Sequence, residues 1–520
     1  MADNGVDRRR FLGAAAAAGA GVAGLAALTG CDASAADQRG AAGPGPTASG
    51  TVHAEALTAL QIEQALPGDA DWRQGPTGPD EAVQGYADKV SVLPGESFAL
   101  HVSTTAPGFT VSAYRMGWYR NAQARKVWHS GRIAGRQQSP SKVSDSTRTV
   151  TTDWEPSLTI STDGWPEGAY LLRLDGENGF HRYVPMIVRT ADMAGKTVLA
   201  HGVATWQAYN TWGGYSLYQG ESGSYESRSL TVSYNRPYDG TGADKFLVYE
   251  RALVVLAERL GIPLAYTTGL DIHLRPGSLH GATTLLSLGH DEYWSPQQRT
   301  AVTRLRDAGT NIAFLGANTC FRRIRFEDGA RTVVCYKTDY QDDPFFGKDN
   351  ALVTTDYRAE PHPDPESSLT GVLYEGFPVD APYVVHTPDH WLYQGTGVRA
   401  GESFAHLVGV EYDRVTPGQP VPRPIEILAH SPLVCEGNAS HSDTAYYTAP
   451  SGAGVFASGT MRWVEGLMAG THDDWGDHGM DARTGAFVTR ATENLVNGFA
   501  KGPADRHLPP PRDNVTAVYS

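Results

Sequence analysis

Three short stretches of this chain carry side chains that can move protons or hold ions. Gly289-His290-Asp291-Glu292-Tyr293-Trp294 follows the apolar run Thr283 to Gly289, and Ala317-Asn318-Thr319-Cys320 follows the apolar run Asn311 to Ala317. Trp206, Tyr209, Asn210 and Tyr218 follow a third apolar run, Thr197 to Gly202. Each run reads as a buried strand, and open α/β sheets bind ligands beyond the carboxyl ends of their strands. If the strands are parallel, the three loops leave one edge of the sheet, where His290, Glu292, Asn318 and the two tyrosines can converge. Charged groups held at a sheet edge rather than in free solvent are candidates for acid, base or ligand roles. A plainer reading stands beside this one: Asp291 or Glu292 caps a helix and His290 is hydrogen-bonded in a turn. Two further clusters, His386 to His390 (HTPDH) and His472 to His478 (HDDWGDH), lie in loop-rich sequence and read as solvated or structural.

The elements that must position these residues follow from periodicity. Phe246, Tyr249, Leu253, Leu256 and Leu260 mark one face of a helix that Gly261 closes, and a second strand, Pro263 to Thr267, comes next. After the third strand, Ser295-Pro296-Gln297-Gln298 is a capping box with proline at the first helical position, opening a helix that Gly309 ends. Strands alternating with helices predict a mostly parallel sheet with helices on both faces, over residues 195–502. Within it, residues 331–423 are rich in Gly, Pro, Asp and aromatics and predict inserted hairpins and loops. The chain is expected to rejoin the sheet at Tyr446-Tyr447 and Gly454-Val455-Phe456, to finish with a helix around Arg490 to Phe499, and to leave a tail over 503–520.

Upstream, residues 54–190 read as short strands. Phe98, Leu100 and Val102 alternate after Pro94-Gly95, and Tyr170, Leu172 and Leu174 alternate after Pro166-Glu167-Gly168. This predicts an immunoglobulin-like β-sandwich. Its aromatic stretch Tyr114 to Tyr119 (YRMGWY) reads as sandwich core and packing against the next domain, with a sugar-binding platform as the alternative. Further upstream, Arg8-Arg9-Arg10 precede Phe11-Leu12 and an Ala/Gly-rich apolar stretch, and Leu28-Thr29-Gly30-Cys31 follows. Residues 1–30 thus match a twin-arginine signal peptide ending in a lipobox, with Cys31 as the lipidated residue. Residues 31–53, rich in Ala, Gly, Pro, Ser and Asp, read as a flexible linker. The expected protein is exported and held on the extracytoplasmic side of the cell membrane through its lipid anchor alone.

Composition agrees with this. The formal net charge is −14, and removing residues 1–30, with three arginines and two aspartates, makes it one unit more negative. An acidic chain without a basic run argues against a nucleic-acid partner. Of the four cysteines, Cys320 and Cys335 look like residues on two arms of a hairpin that could form a disulfide outside the cell, which leaves Cys435 buried and unpaired.

At its candidate site the chain resembles the large (beta) subunit of N,N-dimethylformamidase. The resemblance rests on Gly289 to Trp294, Leu315-Gly316-Ala317-Asn318, Arg323-Ile324-Arg325-Phe326-Glu327, Ala208-Tyr209-Asn210 and Ser216-Leu217-Tyr218, and extends from about residue 80 onward. It implies a β-sandwich followed by a domain similar to class I glutamine amidotransferases. It also implies one ferric ion per chain, held by two tyrosines and a glutamate beside a histidine, an asparagine and a further glutamate needed for amide hydrolysis. Carried over by motif, the metal ligands are Tyr209, Tyr218 and Glu292, and the catalytic groups are His290, Asn318 and Glu411, the last in Gly409-Val410-Glu411-Tyr412-Asp413. The segment between the tyrosines is compressed here, so Tyr234 or Tyr238 could serve in place of Tyr218.

Phenolate and carboxylate are hard oxygen donors suited to a hard ferric ion. The resulting expectation is an iron-dependent hydrolase of an amide-type C–N bond acting on a small-molecule substrate, with room for an accessory small subunit or a homo-oligomer. Two alternatives remain open at this level. One is a non-catalytic cell-surface binding protein, since fold does not carry activity with it. The other is a cysteine nucleophile, Cys320, working with His290.

Overall fold

The computed structural model describes residues 58–471, 473, 475 and 478–520. The signal-peptide and linker readings, with Cys31, lie outside these residues. The fold mixes α/β and all-β parts, and among the described residues no helix is long and apolar enough to cross a membrane.

The N-terminal part is built from two sheets. One pairs Val83–Ala87, Ser97–Thr104 and Leu158–Ser161 in the order first, second, third. The other runs Ser91–Val92, His181–Val188, Gly168–Gly176, Gly108–Met116, Ala124–His129, with Ile133–Ala134 also on Gly108–Met116. Phe98, Leu100 and Val102 meet Tyr170, Leu172 and Leu174 in one apolar cluster, as their alternation predicts. The intervening residues of the larger sheet are buried as well. Tyr114, Met116, Ala169, Leu171 and Ile187 join a second, larger cluster together with Leu253, Leu256 and Tyr266 of the following part. The aromatic stretch therefore packs against the next part of the chain.

The central sheet has seven strands. Their order is Leu264–Thr268, Thr197–His201, Thr284–Leu288, Asn311–Leu315, Gly454–Ala457, Asn438–Thr448, Ile425–Cys435. The first five pair in parallel, and the last two are added by antiparallel pairing, so that only Asn438–Thr448 runs against the rest. Side chains of each parallel strand alternate between two cores. Leu199, Leu286, Leu288, Ala313 and Leu315 face one core with helix Ala482–Phe499, and Val198, Ala200, Leu285, Ile312 and Phe314 face another with helix Pro296–Asp307. The last strand pair includes Ile425–Cys435, which lies between the loop-rich stretch 331–423 and the expected return to the sheet at Tyr446. The C-terminal helix starts at Ala482, capped by Asp481, eight residues before the expected stretch.

Two expectations are corrected. The helix read through Phe246 to Leu260 is two helices, Asp244–Tyr249 and Arg251–Arg259, broken at Glu250. Glu250 leaves helical geometry because its buried carboxylate accepts from His201 Nδ1 at 2.5 Å, Trp206 Nε1 at 2.8 Å and the Gly202 amide at 3.1 Å. Those bonds fix the turn after the first strand. Cys320 and Cys335 are both free and buried. The hairpin register sets Arg325 opposite Val334, not Cys320 opposite Cys335, and the two thiols belong to cores on different sides of the sheet.

The two parts are joined by a buried ionic contact. Arg115 Nη2 lies 2.5 Å from Glu258 Oε1, with both side chains at most 2% exposed. Glu258 also accepts from Tyr266 Oη at 2.6 Å and the Trp118 amide at 2.9 Å. Removing one partner of such a pair leaves a buried charge uncompensated. Arg115→Met is expected to cost on the order of 3–5 kcal/mol, read as a lower urea midpoint, and the Arg115→Met/Glu258→Leu double variant is expected to recover more than half of it.

Candidate functional site

The strand order places the first and third strands side by side, with the chain leaving them in opposite lateral directions, toward the second strand and toward the fourth. Such a switch point opens a crevice at the carboxyl ends of the strands. Helix Val203–Tyr209 leaves the first strand and ends on Tyr209. Thr205 Oγ1 on that helix accepts from the amides of Glu292 at 3.0 Å and Tyr293 at 3.3 Å, tying the loop after the third strand to it. Tyr218 is held by the Leu217 amide on the Ala208 carbonyl, 3.0 Å, and the Ser216–Gln219 bridge.

The loops come close because glycines let them. Gly289 has φ 52°, and a Cβ there would lie 2.3 Å from the Tyr249 carbonyl oxygen. A Cβ on Gly316 would lie 1.9 Å from the Gly289 carbonyl oxygen. Beyond these turns, Tyr293-Trp294 pairs in parallel with Arg322-Arg323. The loops after the third and fourth strands are thereby locked together. Asn318 sits between them at φ 58°, a left-handed conformation that asparagine tolerates better than most residues.

At the centre is the carboxylate of Glu292, fully buried. Tyr209 Oη donates to its Oε2 at 2.7 Å, and Tyr218 Oη lies 2.8 Å from both of its oxygens. The two phenol rings stack with centroids 4.4 Å apart. Tyr234 and Tyr238, the other candidates for the second tyrosine, make no hydrogen bond to Glu292; the buried Tyr234 hydroxyl has no partner. His290 Nε2 is 3.0 Å from Tyr209 Oη and 3.4 Å from Glu292 Oε2. Its Nδ1 faces Glu411 Oε2 at 3.8 Å and lacks a hydrogen bond. Asn318 Nδ2 donates to Glu411 Oε2 at 2.7 Å, its backbone amide donates to Asp413 Oδ1 at 2.7 Å, and its own buried Oδ1 is unpartnered. All six residues from the sequence reading thus form one contiguous constellation.

The run His290-Asp291-Glu292 divides its work. Asp291 turns away and accepts from Ser287 Oγ at 2.9 Å. Burial pushes its carboxyl up to about 7 despite that bond. Neither acid caps the following helix; Ser295 does, accepting from the Gln298 amide.

Several groups around the site are invisible to the strand-end logic. Arg322 Nε lies 3.3 Å from Glu292 Oε1, and its guanidinium also pairs with Asp356. Burial alone would lower the arginine's pKa, but the carboxylates of Asp356 and Glu292 hold it well above the usual range. Lys337 Nζ lies 3.2 Å from the Tyr218 ring centroid and Lys245 Nζ 4.6 Å from that of Tyr209. Tyr293 Oη donates to Tyr218 Oη at 2.7 Å, and burial, followed by the charge of Glu292, keeps the Tyr293 phenol protonated. Tyr293 lies within the stretch Gly289 to Trp294, and Arg322 directly precedes the Arg323 to Glu327 motif. Lys337 reaches the site only through the hairpin fold downstream of Cys335, and nothing in its own neighbourhood marks it.

The donor set is oxygen-rich. Two phenol oxygens, each within 2.8 Å of one carboxylate, flanked by unpartnered Asn318 Oδ1 and His290 Nδ1, suit a hard cation. No group of three or more His, Cys, Asp or Glu side chains gathers as a metal site among the described residues. In the HTPDH cluster, His390 is buried and its Nδ1 accepts from the Leu392 amide at 3.3 Å. In the HDDWGDH cluster, residues 472, 474, 476 and 477 lie outside the described residues, and Asp473 pairs with Arg251 at 2.7 Å.

The sequence pattern of the family described as N,N-dimethylformamidase beta subunit-like, C-terminal, matches residues 110–477. The chain belongs to this family. The matched span of the N,N-dimethylformamidase beta subunit-like family contains every residue of the constellation. No curated protein matches the sequence. Among solved structures, a Paenibacillus sp. cycloisomaltooligosaccharide glucanotransferase complexed with cycloisomaltoheptaose shares 14% identity over 26% of this chain and 18% of its own, with a TM-score of 0.14. That likeness is too slight to bear on fold or function.

Cys320 does not qualify as a nucleophile. It is fully buried, and burial raises its thiol to about 12 even with the Arg299 guanidinium 3.2 Å away. Unfolding without reductant is expected to release Cys320, Cys335 and Cys435 together to a thiol reagent, with none reacting in the native protein; a pair missing from the count would restore the disulfide. A second expectation concerns His390, whose pKa is lowered to about 3, by burial first and then by Arg512. Folding keeps it neutral where the unfolded chain takes a proton. Its share of stability, complete above about pH 6.5, is lost toward pH 3 at about 1.4 kcal/mol per pH unit. The His390→Asn variant, which keeps a capping side chain, is expected to show that much less slope in urea unfolding between pH 7 and pH 4.

Proposed function

We propose that the chain is a metal-dependent hydrolase of an amide-type C–N bond, with ferric iron held by Tyr209, Tyr218 and Glu292. The observation that carries this reading is the convergence of two phenols on one buried carboxylate at 2.7–2.8 Å, in a member of the N,N-dimethylformamidase beta subunit-like family. When bound, the iron supplies Lewis acidity for a substrate carbonyl and makes water a better nucleophile near neutral pH.

The remaining work falls to the protein. Hydrolysis breaks the C–N bond, delivers a water oxygen to the carbonyl carbon and returns a proton to the departing nitrogen. His290 reaches the tyrosine–glutamate centre through Nε2 and Glu411 through Nδ1. That position suits taking a proton from water and passing it on. Asn318 fixes Glu411 by its Nδ2 and keeps its carbonyl oxygen available to orient a donor on the substrate. Burial of Glu292, His290 and Asn318 excludes water from the side away from the tyrosines.

In this reading the N-terminal part is an immunoglobulin-like sandwich and the central part an amidotransferase-like domain. Export by the twin-arginine route, with attachment through Cys31, suits a protein that folds around its metal before leaving the cytoplasm. A site drawn from three separate loops can bind metal only once the sheet exists. The test is metal analysis and turnover of simple amides on protein from iron-supplied cells. Wild type is expected to carry iron and hydrolyse amides, and Glu292→Ala to lose both, with activity down at least a hundredfold. Folded wild type without iron would overturn the metal, and iron without amide turnover would leave a binding protein instead.

A further inference from the structure

Between Tyr209 and Tyr218 the chain leaves helix Val203–Tyr209, turns through Gly213 and Gly214 at φ 78° and 88°, and returns so that the Leu217 amide bonds the Ala208 carbonyl at 3.0 Å. Both glycines are exposed. Ligand oxygens have to be held to within roughly 0.5 Å of their working positions, and an exposed turn on two permissive glycines does not do that alone. The loop is held from outside by Arg236, which is fully buried. Its Nη1 donates to the carbonyls of Trp212 at 3.0 Å and Tyr215 at 2.8 Å, its Nη2 to that of Asn210 at 3.0 Å, and its Nε to Gln207 Oε1 at 3.2 Å. All four acceptors are neutral. Burial accordingly lowers the guanidinium's pKa to about 10, with Asp239 opposing it. A desolvated charge is unfavourable unless its donors are met, and the carbonyls of one short loop meet them. A planar fork of five donors reaches three such carbonyls at once, which an ammonium does not. Asp239 adds a second hold: its Oδ2 accepts from the Thr211 amide at 2.8 Å, and its own amide donates to Asn210 Oδ1 at 3.1 Å.

We propose that Arg236 is the positioning residue of the tyrosine pair: by gripping the carbonyls of Asn210, Trp212 and Tyr215, it brings Tyr218 back against Tyr209 and Glu292. What the tyrosines then hold rests on the hydrolase reading, whereas the grip is a property of the chain itself. The hydrogen bonds of Arg236 go to the loop backbone and to Gln207, none of them to a phenol or to Glu292. It therefore acts through the loop.

The test compares wild type, Arg236→Lys and Arg236→Ala as full chains, metal-free and iron-loaded. In metal-free Arg236→Lys, amide hydrogen exchange over residues 210–219 is expected to rise about tenfold or more while the rest of the sheet stays protected. A crystal structure of that variant is expected to show Tyr218 Oη out of bonding reach of Glu292. Iron affinity, measured by competition with a chelator, is expected to fall on the order of a hundredfold for two charge-assisted bonds lost, and the visible absorption of iron-bound phenolate to weaken and shift. Amide turnover per bound iron is expected to fall in kcat more than in KM. Guanidinium ion, well below unfolding concentrations, is expected to restore Arg236→Ala, and an equal concentration of urea is not. Faster exchange with Tyr218 and iron affinity as in wild type would overturn the positioning role. Exchange rising throughout the sheet in Arg236→Lys would overturn it too, since Arg236 would then serve the fold at large. Wild type that takes up no iron, with Tyr218 displaced in Arg236→Lys, would uphold the role and overturn the metal reading.

Discussion

A carboxylate without exposed surface has to be met by hydrogen bonds or opposite charge, because desolvating it otherwise costs more than folding can supply. Glu292 is that group, and much of the central fold answers it. The phenols that approach it come from the loop after the first strand, and the guanidinium of Arg322 comes from beyond the fourth. The carboxylate itself stands after the third. One buried charge therefore joins three loops that share no local sequence. The glycines at 289 and 316 allow the close approach that this needs, since any side chain there would collide with backbone. A cation among the same oxygens, as proposed, would use an arrangement that the apolar strands beneath it already enforce.

What the sequence made legible follows from which signals are local. Apolar runs ending in Gly289, Ala317 and Gly202 mark parallel strands, and the residues just past them fall at one edge; Tyr209, His290, Glu292 and Asn318 were readable in this way. The break at Glu250 was not, because the helical pattern from Phe246 to Leu260 is continuous and the cause is a long-range bond to His201 and Trp206. The strand Ile425–Cys435 was hidden because it carries polar residues and pairs at the sheet's antiparallel end, where burial is uneven. Cys320 and Cys335 looked like a hairpin pair because sequence separation says nothing of register. A shift of a few residues put their thiols on opposite sides of the sheet.

The sandwich is more than an appendage. Its larger sheet buries both faces, one against its own partner and one against the helices and strands of the central part. The alternation in Tyr170, Leu172 and Leu174 reported only the first of these, and Ala169 and Leu171 belong to the second. Arg115 crosses that boundary to Glu258 on helix Arg251–Arg259. The same helix begins at the Glu250 break that fixes the first strand's turn and so the start of the tyrosine-bearing helix. The interface and the candidate site are in this way attached to two ends of one short helix.

Exposure around the constellation is one-sided, and that sets the direction of approach. Glu292, His290, Asn318 and Glu411 are buried, while Tyr209, Tyr218, Lys245, Val248 and Val410 keep part of their surface in solvent. The tyrosine side is therefore the exposed side of the constellation. The rings lie nearer solvent than the carboxylate, the imidazole and the amide that stand behind them. A side chain changed on the tyrosine side would alter what the centre meets, and one changed behind it would alter how the carboxylate is held.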